Sequence, residues 1–437
     1  MDNISDSVSG EFSGLGDVRF ADTPDTKRAL LAALSKRSGT RTGLLQFVLL
    51  DDKVRVLLTT PDRWHTDIAQ VPKDTLATEI ETLRTSLTDP TQDAKTPAVA
   101  LYRRLVAPLA EEIDAAKLES LLVHLDGRLR YVPFAALHDG KQWLAERWPI
   151  VYYTAASERK DELRGGDWQV AGLGVSEARQ GFDPLPAVAG EIDGIVREGD
   201  GDTRGVLPGH AALNADFSEG ALRQQAGSPA NRILHIASHF LLRPGNDAQS
   251  SLLLGTLAAD GKPDTLSLKA LRETEPRLDL RHLDLVTLSA CETAMGGADD
   301  TGAEIEGMGA VIQRQGARGV LASLWPVEDA STGPLMQTFY RLRAERPALT
   351  KAQALRLAQL DLLRGTLDGA PPPQGCANPP SAGRPGQDPG QNPSENRGER
   401  SPLDLGSKGG PRPALDRACR WSHPYYWAPF ILMGNWL

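Results

Sequence analysis

The sequence predicts an α/β protein with a mostly parallel central sheet that is covered by helices on both faces. Short apolar runs bounded by turn residues alternate along the chain with stretches of helical periodicity, which is typical of βαβ units. Several of these runs, such as RILHIA at 232–237 and LDLVTLS at 283–289, are almost wholly apolar rather than alternating. Such runs indicate strands that are buried on both faces.

The composition is that of an ordinary globular protein. The 437 residues are 40% hydrophobic and 24% charged, with a net charge of −9, so a nucleic-acid-binding surface is not expected. The longest apolar runs are too short to span a bilayer, and the first residues lack a signal-peptide pattern. Three isolated cysteines and eight scattered histidines offer no metal-ligand spacing. We therefore expect a cytoplasmic protein without a metal, a cofactor, or a nucleic-acid or membrane partner.

The first part of the chain divides into a polar tail over residues 1–39 and an N-terminal α/β portion over residues 40–160. Within that portion, the apolar runs at 44–50 and 54–59 predict a hairpin, because Asp51-Asp52-Lys53 lies between them. A stretch of helical periodicity follows at 73–109, and buried strands are predicted at 121–125 and 150–153.

Residues 161–437 are predicted to form the second part. Strands are expected at 169–175, 232–237, 283–289 and 320–325, and helices at 189–197, 304–315, 332–343 and 351–363. Residues 369–413 contain 11 prolines and 9 glycines among 45 residues, so we expect a disordered insert. The last segment, 420–437, carries six of the 24 aromatic residues and is expected to be a packed strand, which makes the insert a loop within the domain.

A glycine pair at the end of the strand at 169–175 offers a first candidate site. Gly172-Leu-Gly174 resembles the start of a dinucleotide-binding loop. The position of the third glycine is occupied by Glu177, whose carboxylate would repel a pyrophosphate. A plain turn at the end of the strand is therefore favoured.

A cysteine and a histidine offer a second candidate site. His239 follows the strand at 232–237, and Cys291 follows the strand at 283–289. The carboxyl ends of parallel strands border the crevice where α/β proteins bind ligands, and an imidazole can activate a thiol and protonate a leaving amine. The separation of 52 residues is close to the roughly 50 of caspases. The alternative is a small buried cysteine and a locally hydrogen-bonded histidine.

Several motifs around these residues resemble the CHAT family of caspase-like clan CD cysteine peptidases, which are often fused to TPR repeats and related to separase. The similar segments are LHIASHF (234–240), LVTLSACETAMGG (285–297), EIEGMGAVIQRQGARGVLASLWPVEDAST (304–332) and HPYYWAPFILMGNW (423–436). Segments at 121–140 and 172–192 also look like the N-terminal portion of that family.

The resemblance implies a caspase–haemoglobinase-like α/β/α sandwich and a cysteine endopeptidase. It implies that Cys291 is the nucleophile and His239 the general base and acid, with the backbone N–H groups of Phe240 and Cys291 stabilising the oxyanion. The partners implied are a protein substrate and a regulatory protein, in bacterial signalling or defence. Two departures stand out: Phe240 occupies the position where caspases and separases have glycine, and TPR repeats are absent from this sequence.

A pair of carboxylates, Glu328 and Asp329, is the candidate substrate-binding group. The stretch Trp325-Pro-Val-Glu-Asp329 is similar to the separase segment that supplies an acidic residue to the pocket for the side chain before the scissile bond, which would favour Arg or Lys there. The alternative is that Asp329 caps the helix that follows. Two further functions stay open: a catalytically silent interaction module, and a peptidase that is active only with a partner or after cleavage.

Overall fold

The computed structural model describes residues 24–154, 167–243, 246, 248–274, 278–293, 309, 311–325, 329–367 and 421–437. Residues 24–154 form five α-helices and five strands. Their bounds are α1 (Pro24–Ser38), β1 (Thr42–Leu49), β2 (Lys53–Thr59), β3 (Trp64–Gln70), α2 (Lys73–Thr88), α3 (Lys95–Leu105), α4 (Ala110–Ala116), β4 (Ser120–His124), α5 (Leu144–Arg147) and β5 (Ile150–Tyr152).

The described residues from 167 onward supply the remaining elements. Their bounds are β6 (Val170–Gly174), α6 (Ala187–Ile195), β7 (Val196–Arg197), β8 (Leu207–Leu213), α7 (Glu219–Gly227), β9 (Ile233–Leu242), β10 (Ser251–Leu257), β11 (Pro263–Ser267), α8 (Leu268–Glu273), β12 (Leu285–Thr293), β13 (Gly319–Ser323), α9 (Asp329–Glu345), α10 (Lys351–Arg364), α11 (Pro424–Trp427) and β14 (Phe430–Gly434). A further helical segment lies at 311–314.

The strands form one sheet in the order β3-β2-β1-β4-β5-β14-β13-β12-β9-β6-β8-β7, with the hairpin β10–β11 attached to β9. Strands β8, β6, β9, β12 and β13 are parallel neighbours, so their carboxyl ends share one edge. Strand β14 is antiparallel to β13 and parallel to β5, so β5, β4 and β1 point toward the opposite edge. The predicted α/β class with a mostly parallel sheet is confirmed.

Helices cover both faces of this sheet. On one face, His235 of β9 and Thr287 of β12 point toward α6 and α9, since both hydrogen-bond to Tyr340 of α9 and His235 also reaches Glu191 of α6. Met433 of β14 points to the opposite face, because successive strand residues alternate and Leu432 aligns with the register of Thr287. On that second face Met433 lies against Gly309.

Several predicted boundaries need correction. The stretch of helical periodicity at 73–109 contains two helices, α2 and α3, which are separated because Asp89 precedes Pro90 and adopts an extended conformation. The helix predicted at 189–197 is displaced: α6 ends at Ile195, and Val196–Arg197 form β7. The polar tail predicted for 1–39 is wrong for 24–38, which form α1 with Leu31 buried. Residues 1–23, the insert at 369–413 and residues 304–308 lie outside the described residues.

The aromatic C-terminal segment is core, as predicted. The side chains of Trp427, Phe430 and Trp436 are all buried, and β14 pairs with β13 over five positions. Gln359 of α10 donates hydrogen bonds to the carbonyl oxygens of Trp427 and Phe430, which ties the segment to the helix layer. No helix in the described part of the chain is long and apolar enough to cross a membrane.

Candidate active site

The two strands that carry His239 and Cys291 are direct neighbours. Strands β9 and β12 pair in parallel from Ile233 opposite Leu285 to Ala237 opposite Ser289. Beyond that point Cys291 lies opposite Phe240, so that two residues of β9 face one residue of β12. This irregularity is a β-bulge, a feature that often re-aims a side chain beside an active site. Both strands run past the predicted ends at 237 and 289, and the two candidate residues lie inside strands rather than after them.

The extension of β9 has a physical cause in the hairpin β10–β11. Phe240 and Leu241 pair with Leu252 and Ser251 of β10, and this pairing supplies main-chain partners where β6 has already ended. Ser238 Oγ donates a hydrogen bond to the carbonyl oxygen of Leu253 at 2.8 Å. Contacts with both β10 and β12 therefore hold the bulged segment of β9 in place.

The imidazole of His239 is buried and held in one orientation. Its exposed fraction is 7%, and its ring lies 5.3 Å from the ring of Phe182, centroid to centroid. Nε2 lies 2.8 Å from the main-chain carbonyl oxygen of Asp183. Because a carbonyl oxygen can only accept, Nε2 carries the hydrogen, and a neutral His239 has its lone pair on Nδ1.

The segment at 175–186 supplies both contacts of His239, and it is itself well supported. Asn214 Oδ1 accepts hydrogen bonds from the backbone N–H groups of Ser176 and Glu177, and Asn214 Nδ2 donates to Ser176 Oγ at 3.0 Å. Arg179 donates to the carbonyl oxygen of Gly255 at 2.9 Å. A tight turn with reciprocal backbone hydrogen bonds between Arg179 and Phe182 completes the segment.

The structure brings the backbones of Cys291, Phe240 and His239 together, but the side chain of Cys291 lies outside the described part of the chain. Phe240 is paired with Cys291 on one side and with Leu252 on the other. Its N–H can reach an oxyanion only if these ladders leave it unpaired, so the oxyanion role predicted for Phe240 and Cys291 stays a prediction, as does the dyad itself.

Of the two candidate substrate-binding residues, Glu328 lies outside the described residues, and only the backbone of Asp329 is described. Asp329 is the first residue of α9, so the helix begins three residues earlier than predicted. Leu324 and Trp325, directly after β13, are held by Arg84 of α2, which is buried. Its guanidinium donates to the carbonyl oxygens of Tyr131 (3.0 Å) and Leu324 (3.4 Å) and lies 6.0 Å from the Trp325 ring.

The glycine pair of the predicted turn has a packing role instead. Gly172 and Gly174 lie inside β6 and are buried. A Cβ atom on Gly172 would meet Ile192 and Val196, and one on Gly174 would meet Val188. The absence of side chains therefore lets α6 pack closely on β6, and the glycines form no phosphate-binding loop.

A buried polar network lies beneath the candidate dyad, and the sequence analysis did not identify it. His235 Nε2 lies 3.0 Å from Glu191 Oε1, and His235 Nδ1 lies 3.0 Å from the Tyr340 hydroxyl. That hydroxyl is also 2.7 Å from Thr287 Oγ1. A sequence signal existed for Glu191, because this carboxylate occupies the apolar face of α6 beside Val188, Ile192 and Ile195.

Comparisons with known proteins identify one matching family and distantly similar crystal structures. The CHAT domain family profile matches residues 95–435, more than half of the chain. Two crystal structures of the Saccharomyces cerevisiae separase–securin complex, at 3.0 and 2.6 Å resolution, are similar at 9% identity, with TM-scores of 0.41 and 0.36. Each similarity covers 76% of this chain but only 30% of the other chain. No curated protein sequence matches this chain.

Proposed function

Because the chain belongs to the CHAT domain family, we propose that it is a cysteine endopeptidase that hydrolyses peptide bonds of a protein substrate through Cys291 and His239. The observation that supports this proposal most is the register of β9 and β12. It sets the backbone of Cys291 opposite Phe240, the residue next to His239, at the edge of the sheet where the carboxyl ends of five parallel strands meet.

The mechanism would be acyl transfer. With Nε2–H of His239 donating to Asp183, Nδ1 is the nitrogen that accepts the thiol proton of Cys291. The thiolate attacks the scissile carbonyl carbon, and backbone N–H groups stabilise the oxyanion. The C–N bond breaks as the imidazolium returns its proton to the leaving amine. A water molecule, deprotonated by His239, then hydrolyses the thioester and regenerates the thiol. The Asp183 carbonyl stabilises the imidazolium and keeps the ring oriented.

We propose Arg or Lys as the residue before the scissile bond, with Glu328 and Asp329 as the groups that bind it. The support for this proposal is that α9 begins at Asp329 after β13, and that β13 is a parallel neighbour of β12, so that its carboxyl end lies at the same edge of the sheet as that of β12. A partly desolvated carboxylate forms a bidentate pair with a guanidinium. The alternative is that the carboxylate of Asp329 interacts only with the N-terminus of α9, which it would cap.

A fluorogenic peptide library tests this specificity. Asp329→Asn is expected to lower kcat/KM at least tenfold for Arg and Lys substrates relative to others. Asp74→Asn is the matched control, because Asp74 is a first-turn carboxylate of α2. An unchanged preference in Asp329→Asn, or strong cleavage after Asp or aliphatic residues by the wild type, would refute the basic-residue pocket.

The proposed setting is cytoplasmic and bacterial, in signalling or defence, with a protein substrate and a regulatory partner. Labelling with a thiol-reactive peptide ketone separates this function from the two alternatives. An active peptidase gives one adduct, on Cys291, and none in Cys291→Ala. A silent interaction module gives no adduct under any condition, and a partner-dependent peptidase gives the adduct only after the partner is added.

A further inference from the structure

Four buried polar side chains form a continuous network below the candidate dyad. Glu191, His235, Thr287 and Tyr340 are each no more than 5% exposed. A consistent chain of donors runs from the Thr287 hydroxyl to the Tyr340 hydroxyl and on to His235 Nδ1, while His235 Nε2–H donates to the Glu191 carboxylate. Burial raises the pKa of the Tyr340 hydroxyl far above its usual range, so this group stays protonated.

The network is placed symmetrically with respect to the dyad. His235 lies four residues before His239 on β9, and Thr287 lies four residues before Cys291 on β12. His235 and Thr287 are paired directly across the two strands, and both reach the hydroxyl of Tyr340. One hydroxyl therefore joins the two strands that carry the dyad, in the part of the ladder just before the bulge.

The other two members join the strands to the remaining parts of the site. Glu191 belongs to α6, which follows the segment that carries the Asp183 carbonyl. Tyr340 belongs to α9, which begins at Asp329. Gly172, which lies opposite His235 on β6, helps α6 to approach closely, because a Cβ atom there would lie only 2.6 Å from a methyl carbon of Val196, the residue after α6, and 3.2 Å from Ile192 within it. Each of the four elements that meet in the network thus leads to one part of the candidate site.

From this arrangement we infer that Glu191, His235, Thr287 and Tyr340 are positioning residues, which fix β9 and β12 in register before the bulge and thereby align His239 with Cys291. This inference rests on the proposed function. A buried network of this kind rigidifies its surroundings when every member is satisfied. Removal of one member leaves partners unsatisfied, and misplacement by about 1 Å can cost roughly 100-fold in rate.

The test removes one hydroxyl and keeps its ring. Tyr340→Phe preserves the ring packing against Phe339 and Trp168 and breaks both hydrogen bonds. Tyr152→Phe is the matched control, because Tyr152 is also buried, donates to the Val132 carbonyl, accepts from Phe134 N–H, and lies on β5. We expect kcat to fall roughly 10- to 100-fold in Tyr340→Phe with KM within about threefold, and no such fall in Tyr152→Phe.

A second readout does not depend on peptide cleavage. In a background with Cys376 and Cys419 replaced by serine, Cys291 is the only thiol, and its rate of alkylation by iodoacetamide reports the environment that His239 provides. We expect a slower rate in Tyr340→Phe and in Thr287→Val, and a rate near that of the wild type in Thr287→Ser, which keeps the hydroxyl.

The outcomes separate this inference from the proposed function. Changed alkylation without peptide cleavage by the wild type would support the positioning role and refute the peptidase. Cleavage and alkylation that are the same in Tyr340→Phe as in the Tyr152→Phe control would overturn the positioning role and leave the peptidase intact. If Tyr340→Phe does not fold, Thr287→Val carries the same expectations with Thr287→Ser as its control, because it removes the hydrogen bond to the Tyr340 hydroxyl and keeps the shape of the side chain.

Discussion

The main-chain carbonyl oxygen of Asp183 lies 2.8 Å from Nε2 of His239, across 56 positions of sequence. This contact determines which imidazole nitrogen holds the proton, because the carbonyl can only accept. It also makes the orientation of the candidate base depend on a loop rather than on a side chain. The loop is held chiefly by Asn214, which adopts a positive φ of 51° and bonds to the backbone of Ser176 and Glu177.

We expect Asn214→Gly to destabilise the protein by about 1 kcal/mol, because the N–H groups of half-buried Ser176 and exposed Glu177 and the Ser176 hydroxyl lose their partner while the positive φ is tolerated. The same change should lower kcat/KM, since the Asp183 carbonyl is no longer held against His239. Asn214→Asp is the control, because it keeps the two acceptor bonds. Urea denaturation and peptide hydrolysis measure both effects, and wild-type values for Asn214→Gly would show that the loop is held by other contacts.

The environment of Arg84 leads to a second prediction. Arg84→Met should lower the free energy of unfolding by about 2–4 kcal/mol, because the carbonyl oxygens of Tyr131 and Leu324 lose a charged donor. Arg84→Lys should not restore stability, since a single ammonium cannot reproduce the planar fork. Arg103→Met on the exposed side of α3 is the control. Equal denaturation midpoints for Arg84→Met and Arg103→Met would contradict this account of Arg84.

The burial of Lys351 leads to a third prediction, on how the stability of the folded protein changes with pH. Its ammonium is buried at the start of α10, where Nζ donates to the main-chain oxygen of Leu437, and burial lowers its pKa to about 7. In the unfolded chain the pKa is about 10.4. Between these values the unfolded state binds more protons, so stability rises from pH 7 to pH 10, whereas below pH 7 both states are protonated and this contribution becomes constant.

Lys351→Met should therefore raise stability at pH 7 and below, and it should remove a rise of the order of 4 kcal/mol between pH 7 and 10. Denaturation midpoints across this range, compared with the wild type, measure the effect. Lys73→Met is the control, because Lys73 is also the first residue of a helix but is exposed. Parallel pH profiles for the wild type and Lys351→Met would show that Lys351 keeps an ordinary pKa in the folded protein.

Much of the sheet could be predicted from sequence because its central strands are continuous apolar runs. Strand β3 was missed because every second side chain is exposed, including Trp64 and Ile68, so burial leaves little signal there. Strand β8 contains Pro208 and Gly209, which are unfavourable in strands and so hide it in the sequence; of the described strands, only the two-residue β7 lies beyond it in the sheet. The hairpin β10–β11 was also missed, and with it the reason why β9 extends beyond residue 237.

The strands that carry His239 and Cys291 can be predicted from the sequence, but the contacts that hold His239 and these strands in place cannot. His239 and Cys291 follow recognisable apolar runs, so their neighbouring strands could be inferred. The contact with Asp183 uses a main-chain oxygen, which any residue type supplies, and therefore leaves no compositional signal. The network around Tyr340 joins residues from four separate elements. Of its members only Glu191, a carboxylate on an apolar helix face, gives a signal in the sequence.

The dyad is tested most directly by the rate of peptide hydrolysis in the wild type, in Cys291→Ala, in His239→Ala and in the double variant, with folding of each checked by circular dichroism. We expect each single variant to lose at least roughly 1,000-fold in kcat, and the double variant to be no slower than the slower single variant, because the two residues act as a unit. A Cys291→Ala protein that hydrolyses peptides at the wild-type rate would contradict the proposal that this chain is a cysteine peptidase.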